Sequence, residues 1–497
     1  MISSHSTWAA ALLFALGCAS TAAQSRDPAE AIRVKSKPVA VDPDAWRNEV
    51  PKAGASRDVA YPIAAEQTLP NGVKLYFVQR PSPTVELQVV VKAGASALPL
   101  GKSGLSALGA RMLTEGTAHK SALELSIAAE SLGSELEQDA QRDAISVSLE
   151  VLSQDVPAAL QLLAEVIQQP AFRDADLERV KAEWKDQLVA ERQEPTRLAS
   201  LAALRTVLGP ILGAPVSGCD KDISSVHRAD LIAWHRAQVT PANTAITIVG
   251  NVDPSRLAAQ AGSLWGKWSA PQAKPQAPLT PPPAPQGVRI ILVDRPGAVQ
   301  SALFATQLFP KRSEPGFEAR EVMSSLFGGL FTSRLNMNLR EEHAYTYGAR
   351  STLIATRQFG LFALSTSVER DVTADAIEQM LLEVNALHDP SKGKPISIAE
   401  IQRAKADLFQ ALGASLEHSS AVARNVATQF IFGLPLDYFA RYKSTLDALT
   451  PEQISQEAAR VDPAALTLVV AGDRAVIEEK IKAKHFQVEP AAAELLQ

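Results

Sequence analysis

Two side chains that grip a metal from one helix must recur at i and i+3 or i+4. None of the eight histidines (His5, His119, His227, His235, His343, His388, His418 and His485) meets that spacing. His227 and His235 fall on one predicted helix before Pro241 and read as surface or cap residues. Cys219 has no placed histidine to activate it as a nucleophile. There is no G-x-S-x-G elbow, no phosphate-cradling G-x-x-x-x-G-K-[ST] loop and no dinucleotide fingerprint. The residues whose types do suggest chemistry lie in one stretch, FGGLFTSRLNMNLREEHAYTYG, from Phe327 to Gly348. Arg340 and Tyr347 there supply a forked guanidinium and a phenol hydroxyl, two donors able to hydrogen-bond an oxygen on which negative charge develops.

Such a pair needs a rigid scaffold, and the chain is long enough to build one. It has 497 residues, 46% hydrophobic and 21% charged, enough for two to four domains with a sizeable core. With 49 Lys and Arg against 54 Asp and Glu the net charge is -5, which lacks the basic excess that nucleic-acid binding requires. Two cysteines, Cys18 and Cys219, give no disulfide framework, so stability must come from packing. Residues 8–18 (WAAALLFALGC) form one short apolar run followed by Thr21-Ala22-Ala23, the pattern of a signal-peptide core. No Lys or Arg precedes Arg26, so the usual positive start of such a segment is missing. The expectation is a signal peptide at 1–23, an N-terminal extension at 24–62, and export, to the periplasm, as a soluble protein; a lipoprotein anchored through Cys18 is the alternative. No other run approaches the roughly 18 apolar residues of a membrane span, so none is expected in the mature chain.

The elements that must position the pair occur twice. Between Trp268 and Gly287 a Pro/Ala/Gln stretch favours an extended spacer and marks a linker at 268–286. On either side the same order recurs: GVKLYFVQRP at Gly72 and GVRIILVDRP at Gly287, then alternating strands, two amphipathic helices, and a buried-type strand ending at Gly250 or Gly472. Gly72 and Gly287 are 215 residues apart, Gly250 and Gly472 222, as a duplication at domain scale requires. The predicted fold class is α+β, with two homologous lobes at 63–267 and 287–497. Each is a mostly antiparallel sheet with helices packed on one face, together forming a clamshell half.

Two motifs resemble the pitrilysin/insulinase-type zinc metallopeptidases, the inverzincins. Their first-lobe signature, Gly-Leu-x-His-x-x-Glu-His followed by Gly-Thr, keeps its frame from Gly104-Leu105 to Gly116-Thr117, but Ala107 and Arg111 stand where the zinc histidines would be and Ala110 where the general base would be. Alanine offers no donor, and Arg111 puts a permanent cation where a divalent ion would sit. The family's acidic third ligand would fall in the helix holding Glu178, Glu183, Asp186 and Glu191. Arg111 is therefore expected to replace the metal by pairing with Glu183 or Asp186. The Phe327–Gly348 stretch resembles the family's second-lobe signature, whose Arg and Tyr, here Arg340 and Tyr347, bind the substrate carbonyl beside the zinc. Arg334 reads as a structural donor to carbonyls or an acid near the lobe interface, and Gly328 and Gly329 as permitting a tight turn or close backbone approach. The family includes heterodimers in which one subunit carries the zinc and the other only the Arg/Tyr pair, and this chain is similar to the second kind. The resemblance implies a non-catalytic, substrate-binding subunit of an exported zinc metalloendopeptidase, inactive alone. It would bind no cofactor itself, with zinc held by a homologous H-x-x-E-H partner and peptides as substrates. The competing expectation is a peptide-binding or scaffold protein of the same fold.

Overall fold

The computed structural model describes residues 59–270 and 279–496. The expected signal peptide, nearly all of the N-terminal extension and the centre of the linker lie outside those residues. From Val59 onward the chain is one compact unit. Its strands are β1 (Ala65–Thr68), β2 (Lys74–Gln79), β3 (Thr84–Val91), β4 (Glu137–Ala140), β5 (Ile145–Leu152), β6 (Thr244–Gly250), β7 (Arg289–Asp294), β8 (Gln300–Phe309), β9 (Ala349–Ala355), β10 (Gly360–Glu369), β11 (Thr467–Gly472) and β12 (Val488–Pro490).

They form two six-stranded sheets, β1-β2-β6-β3-β5-β4 and β12-β7-β11-β8-β10-β9, whose last five strands match in order while the edge strands β1 and β12 differ. Each sheet is mixed. In the first only β2 and β6 run parallel, whereas in the second β7 is parallel to both β11 and β12. The duplicated strands that end in glycine have the same physical reason for doing so. A Cβ at Gly250 would lie 2.8 Å from Val85 Cγ2 on β3, and one at Gly472 2.6 Å from Ser301 Oγ on β8, so only glycine lets the neighbouring strand pass.

One face of each sheet carries helices of its own lobe. β5 alternates buried and solvent-side residues, and its Ile145, Val147, Leu149 and Val151 join Leu108, Leu160, Leu163 and Ile167 in the first core. In the second, Leu303, Phe362 and Leu364 pack on Val322, Phe327, Ile377 and Met380. Each such side chain contributes about 1.5–3 kcal/mol of burial.

The other face of each sheet is covered by a helix from the opposite lobe, which the expectation of helices on a single face did not include. The helix Ser419–Phe432 sets Val422, Ala423, Val426 and Phe430 on Tyr76, Val78, Val90 and Val249 of the first sheet. In return the helix Pro195–Leu212 lays Leu198, Ala199, Ala202 and Ala203 on Ile291, Val293 and Val469 of the second. Its three alanines fall on one stripe and allow a close approach to the sheet. This exchange joins the lobes through two apolar layers in addition to the linker. Among the described residues no helix is long and apolar enough to cross a membrane.

Candidate functional site

The first-lobe motif folds as the helix Leu105–Leu113. Gly104 starts it at φ +82°, a conformation open to glycine, and its backbone presses on Gly218, where a Cβ would come within 2.8 Å. At Gly109 a Cβ would meet the ring of Trp234 at 2.4 Å, which holds the helix tight against the first core. Ala107 and Ala110 are buried, and Arg111 emerges toward the helix end with its side chain 38% exposed.

Arg111 does form a bridge, but its partner is Glu115 rather than Glu183 or Asp186. Its Nη2 lies 2.7 Å from Glu115 Oε1. The i,i+4 spacing returns Glu115 beneath Arg111, where it is only 6% exposed, so the nearest carboxylate in sequence is also the nearest in space. The other Glu115 oxygen accepts from Arg179 of the helix Asp174–Gln193. Arg179 in turn holds Glu183 through Nη1 at 2.9 Å. Two arginines and two glutamates thus close on one another. A zinc ion does not fit these residues: two of the three positions carry no donor, and the third is a cation already paired. Among the described residues no group of three or more His, Cys, Asp or Glu is arranged to hold a metal ion. His235 bonds the Ile167 carbonyl at 2.8 Å and His227 caps the helix Arg228–Gln238, so both are structural.

The second-lobe motif folds into two wide π-helical turns, Ser325–Gly329 and Met337–Glu342, flanking the short helix Arg334–Asn336. Such turns are rare overall and frequent at functional sites. Gly328 is there because the turn crosses β9 closely: a Cβ would lie 2.4 Å from the Ser351 amide nitrogen. Gly329 has ordinary room, its nearest neighbour being 3.4 Å away, so the close-approach requirement falls on Gly328 alone.

Arg334 is buried and fully used. Its Nε and Nη2 fork onto the Glu400 carboxylate at 2.7 and 3.1 Å, while Nη1 and Nη2 donate to the carbonyls of Lys394 and Pro395 at 2.8 and 2.9 Å. Burial alone would push the Glu400 carboxyl up; Arg334 and Ser397 more than reverse this and hold it down at about 2. Arg334 is thus a structural donor, but it ties the motif to the loop before the helix Ile398–Ser415, within the second lobe rather than at the lobe interface.

Arg340 and Tyr347 are brought together. Both line an open cleft of about 480 Å³ with Gly328, Phe331, Asn336 and Arg350. The guanidinium carbon of Arg340 sits 4.2 Å from the Phe331 ring centre, and its Nε is 3.3 Å from Glu341. Tyr347 is 92% exposed, a large departure for an aromatic residue that normally buries most of its ring. Asn336, not singled out from sequence, fixes the geometry: its Nδ2 donates to the Leu330 carbonyl at 2.9 Å and its Oδ1 accepts from the Ala349 amide at 2.8 Å, clamping the segments on either side of Arg340 and Tyr347. Thr366 supports the same loop, donating to Thr346 at 2.9 Å. The cleft therefore presents two hydrogen-bond donors to solvent from a clamped backbone.

Comparison with known proteins bears on the family and the fold. The family model for the insulinase (M16) peptidases matches residues 75–212, and that for the M16 inactive domain matches 225–408. An uncharacterized zinc protease of Mycobacterium leprae is 24% identical over 363 residues, 71% of this chain and 79% of that protein. The mitochondrial-processing peptidase subunit beta of Saccharomyces cerevisiae is 22% identical over 427 residues, 79% of this chain and 85% of its own. Among solved structures, an M16 inactive domain from Pseudomonas fluorescens superposes with a TM-score of 0.75 at 24% identity, covering 82% of this chain and 97% of that one. A Helicobacter pylori protease gives 0.77 at 18% identity, covering 82% and 99%. Two models of one family, matched consecutively along a chain whose two sheets repeat the same order of five strands, show that this protein belongs to the insulinase-type M16 peptidases, as a member without the H-x-x-E-H zinc motif.

Proposed function

We propose that this chain is the non-catalytic, substrate-binding subunit of a heteromeric, exported zinc metalloendopeptidase. The observation that carries the reading is the contrast between its two motifs. The zinc-motif positions are filled by alanines and an ion-pair network, while Tyr347 stands exposed in an open cleft beside Arg340, which is held only by the Phe331 ring and the neighbouring Glu341. A phenol held in solvent on a clamped loop gains nothing for the fold of its own chain, whereas a peptide carbonyl beside it gains a donor. The relative from yeast is named as one subunit of a processing peptidase, which supports a heteromeric setting.

In this reading a homologous H-x-x-E-H partner holds the zinc, its water and the general base. This chain's Tyr347 hydroxyl and Arg340 guanidinium bind and orient the scissile carbonyl and donate to its oxygen as charge builds there. The apolar run before Ala23 supports export, and Cys18 offers lipid attachment as the alternative anchoring.

The test is hydrolysis of unstructured peptides, with zinc content, by this protein, by a candidate zinc-bearing partner, and by the mixture. Activity confined to the mixture and reduced roughly 10²-fold or more by Arg340→Ala or Tyr347→Phe is the expected result. Mixing without effect would leave a peptide-binding or scaffold protein; zinc and activity in this chain alone would overturn both.

A further inference from the structure

A second site lies on the far side of the first sheet. Glu86 and Gln88 are two residues apart on β3, so their side chains leave the same face, opposite to Val85, Leu87 and Val89, which enter the first core. That face is covered by the helix Ser419–Phe432 at Val90 but parts from it beside β4, leaving a groove of about 370 Å³. Glu86, Gln88, Glu137, Asp139, Ser148 and Arg424 are among the lining residues.

Glu86 is 4% exposed and Gln88 7%, and neither side chain's oxygens are matched by a donor among the described residues. No hydrogen bond or ion pair ties Glu86 to another described residue, and the Oε1 of Gln88 is buried without a partner. A buried polar atom left unpaired costs about 1–3 kcal/mol, so Gln88 Oε1, aimed into a groove beside a carboxyl that no described donor meets, describes a site whose donors come from outside. The lining has three carboxylates and one cation, Arg424 on the exposed side of the helix. The ligand is thus a cation rich in donors. It is not a metal ion, because no cluster of metal-holding side chains exists among the described residues. Of the organic cations, a guanidinium carries five donors in a plane and is more weakly hydrated than an ammonium, so it loses less on leaving water for the floor of the groove.

We propose that this groove binds a guanidinium group, the side-chain chemistry of arginine, between the Glu86 carboxylate and Gln88 Oε1. The site stands apart from the Arg340/Tyr347 cleft and does not depend on the function assigned to it. It has one further signature. Burial, and then Glu150 and Glu137 beside it, push the Glu86 carboxyl up to about 8, with Arg424 opposing. Asp139 also faces the groove. At neutral pH the empty site holds a proton on Glu86, and a cation entering beside it displaces that proton to solvent.

Titration calorimetry on the full chain, in buffers of different ionisation enthalpy, tests this with N-acetylarginine amide, N-acetylcitrulline amide and a blocked Ala-Ala-Arg-Ala-Ala peptide. N-acetylarginine amide is expected to bind at pH 7 with release of close to one proton, and with little release at pH 9. The neutral citrulline isostere, and Glu86→Gln with the arginine probe, should each bind about tenfold or more weaker. Arg424→Glu, a change on an exposed helix position, should tighten binding severalfold and keeps the test open if Glu86→Gln folds poorly. Tyr347→Phe should change nothing, which separates this site from the cleft. Tighter binding of the peptide than of the single amino acid assigns the guanidinium to a peptide, equal binding to a small solute. No binding at millimolar concentration, equal affinity for citrulline, or an unweakened Glu86→Gln together with an unchanged Arg424→Glu would overturn the proposal.

Discussion

Replacing Glu86 with glutamine should make the protein more stable, and more so as the pH rises. The native carboxyl is held near 8 against an ordinary 4.5, first by burial and then by Glu150 and Glu137. A carboxyl whose value is raised in the folded state contributes fully below its unfolded value; that contribution is lost as the pH climbs through the folded one, because the unfolded chain ionises first. The window therefore runs from about pH 4.5 to 8. At about 1.4 kcal/mol for each tenfold change in proton affinity, the shift corresponds to about 3–5 kcal/mol of stability lost by the native protein across that window. Glutamine mimics the protonated carboxyl in size and neutrality and has nothing to ionise. Urea melts of the two proteins at half-unit steps from pH 5 to 8.5 measure the difference; guanidinium chloride is avoided because it carries the group proposed to occupy the groove. The variant should match the native protein near pH 5 and exceed it by about 3–5 kcal/mol at pH 8.5. A difference that stays flat across the range would show that Glu86 is ionised in the folded state and that the groove is wetter than its burial indicates.

Three further outcomes test the second-lobe site. Gly328→Ala should cost about 2 kcal/mol or more, since its Cβ would meet backbone of β9, while Gly329→Ala should be nearly neutral; paired thermal melts distinguish them. Arg334→Met should lower stability by about 2–4 kcal/mol at pH 7, because it leaves the Glu400 carboxylate with Ser397 alone and strands the carbonyls of Lys394 and Pro395. That penalty should shrink as the pH falls from 4.5 toward 2, since a carboxyl held low in the native state contributes above its unfolded value and loses that contribution on protonation. Tyr347→Phe should leave the melting temperature unchanged, since the side chain is solvent-exposed and its hydroxyl makes no hydrogen bond to another described residue, and any drop in the mixture's peptidase activity then reports on substrate rather than on folding.

The repeat was legible because it is written twice in local pattern. The strands GVKLYFVQRP and GVRIILVDRP became β2 and β7, and the glycines that close TAITIVG and LTLVVAG became the tight ends of β6 and β11. The exchange of helices was not legible. Apolar periodicity says that Ala199, Ala202 and Ala203 share a buried stripe, but not which sheet receives it, since both sheets offer the same Val/Ile-rich outer face. The wrong partner for Arg111 has a different cause. Glu115 lies at i,i+4 from Arg111, a relation that needs no tertiary information and is present in the sequence, whereas the acids of the helix Asp174–Gln193 are brought near only by the fold. Asn336 and the buried Glu86 gave no signal at all: an asparagine between two turns and a glutamate in an alternating strand look like surface residues until burial is known.

The two motifs differ in what they leave unspent, and this difference carries more than the loss of histidines does. Where zinc would sit in the family, every charge is answered within the chain: Arg111 by Glu115, Glu115 also by Arg179, and Arg179 by Glu183. A site closed in this way has no residual demand for a ligand, and restoring histidines at 107 and 111 would still leave Arg179 paired with two glutamates beside them. In the second lobe the structural hydrogen bonds are made by Arg334, Asn336 and Thr366, which frees Arg340 and Tyr347 from any duty in the fold beyond a ring contact and one adjacent carboxylate. Packing that frees two donors while holding their backbone still is preorganisation, and preorganised donors lower a barrier only for an oxygen that something else attacks. That separation, a self-satisfied cluster at the zinc-motif positions and an exposed Arg340/Tyr347 cleft in the second lobe, is what a subunit completing another chain's active site requires.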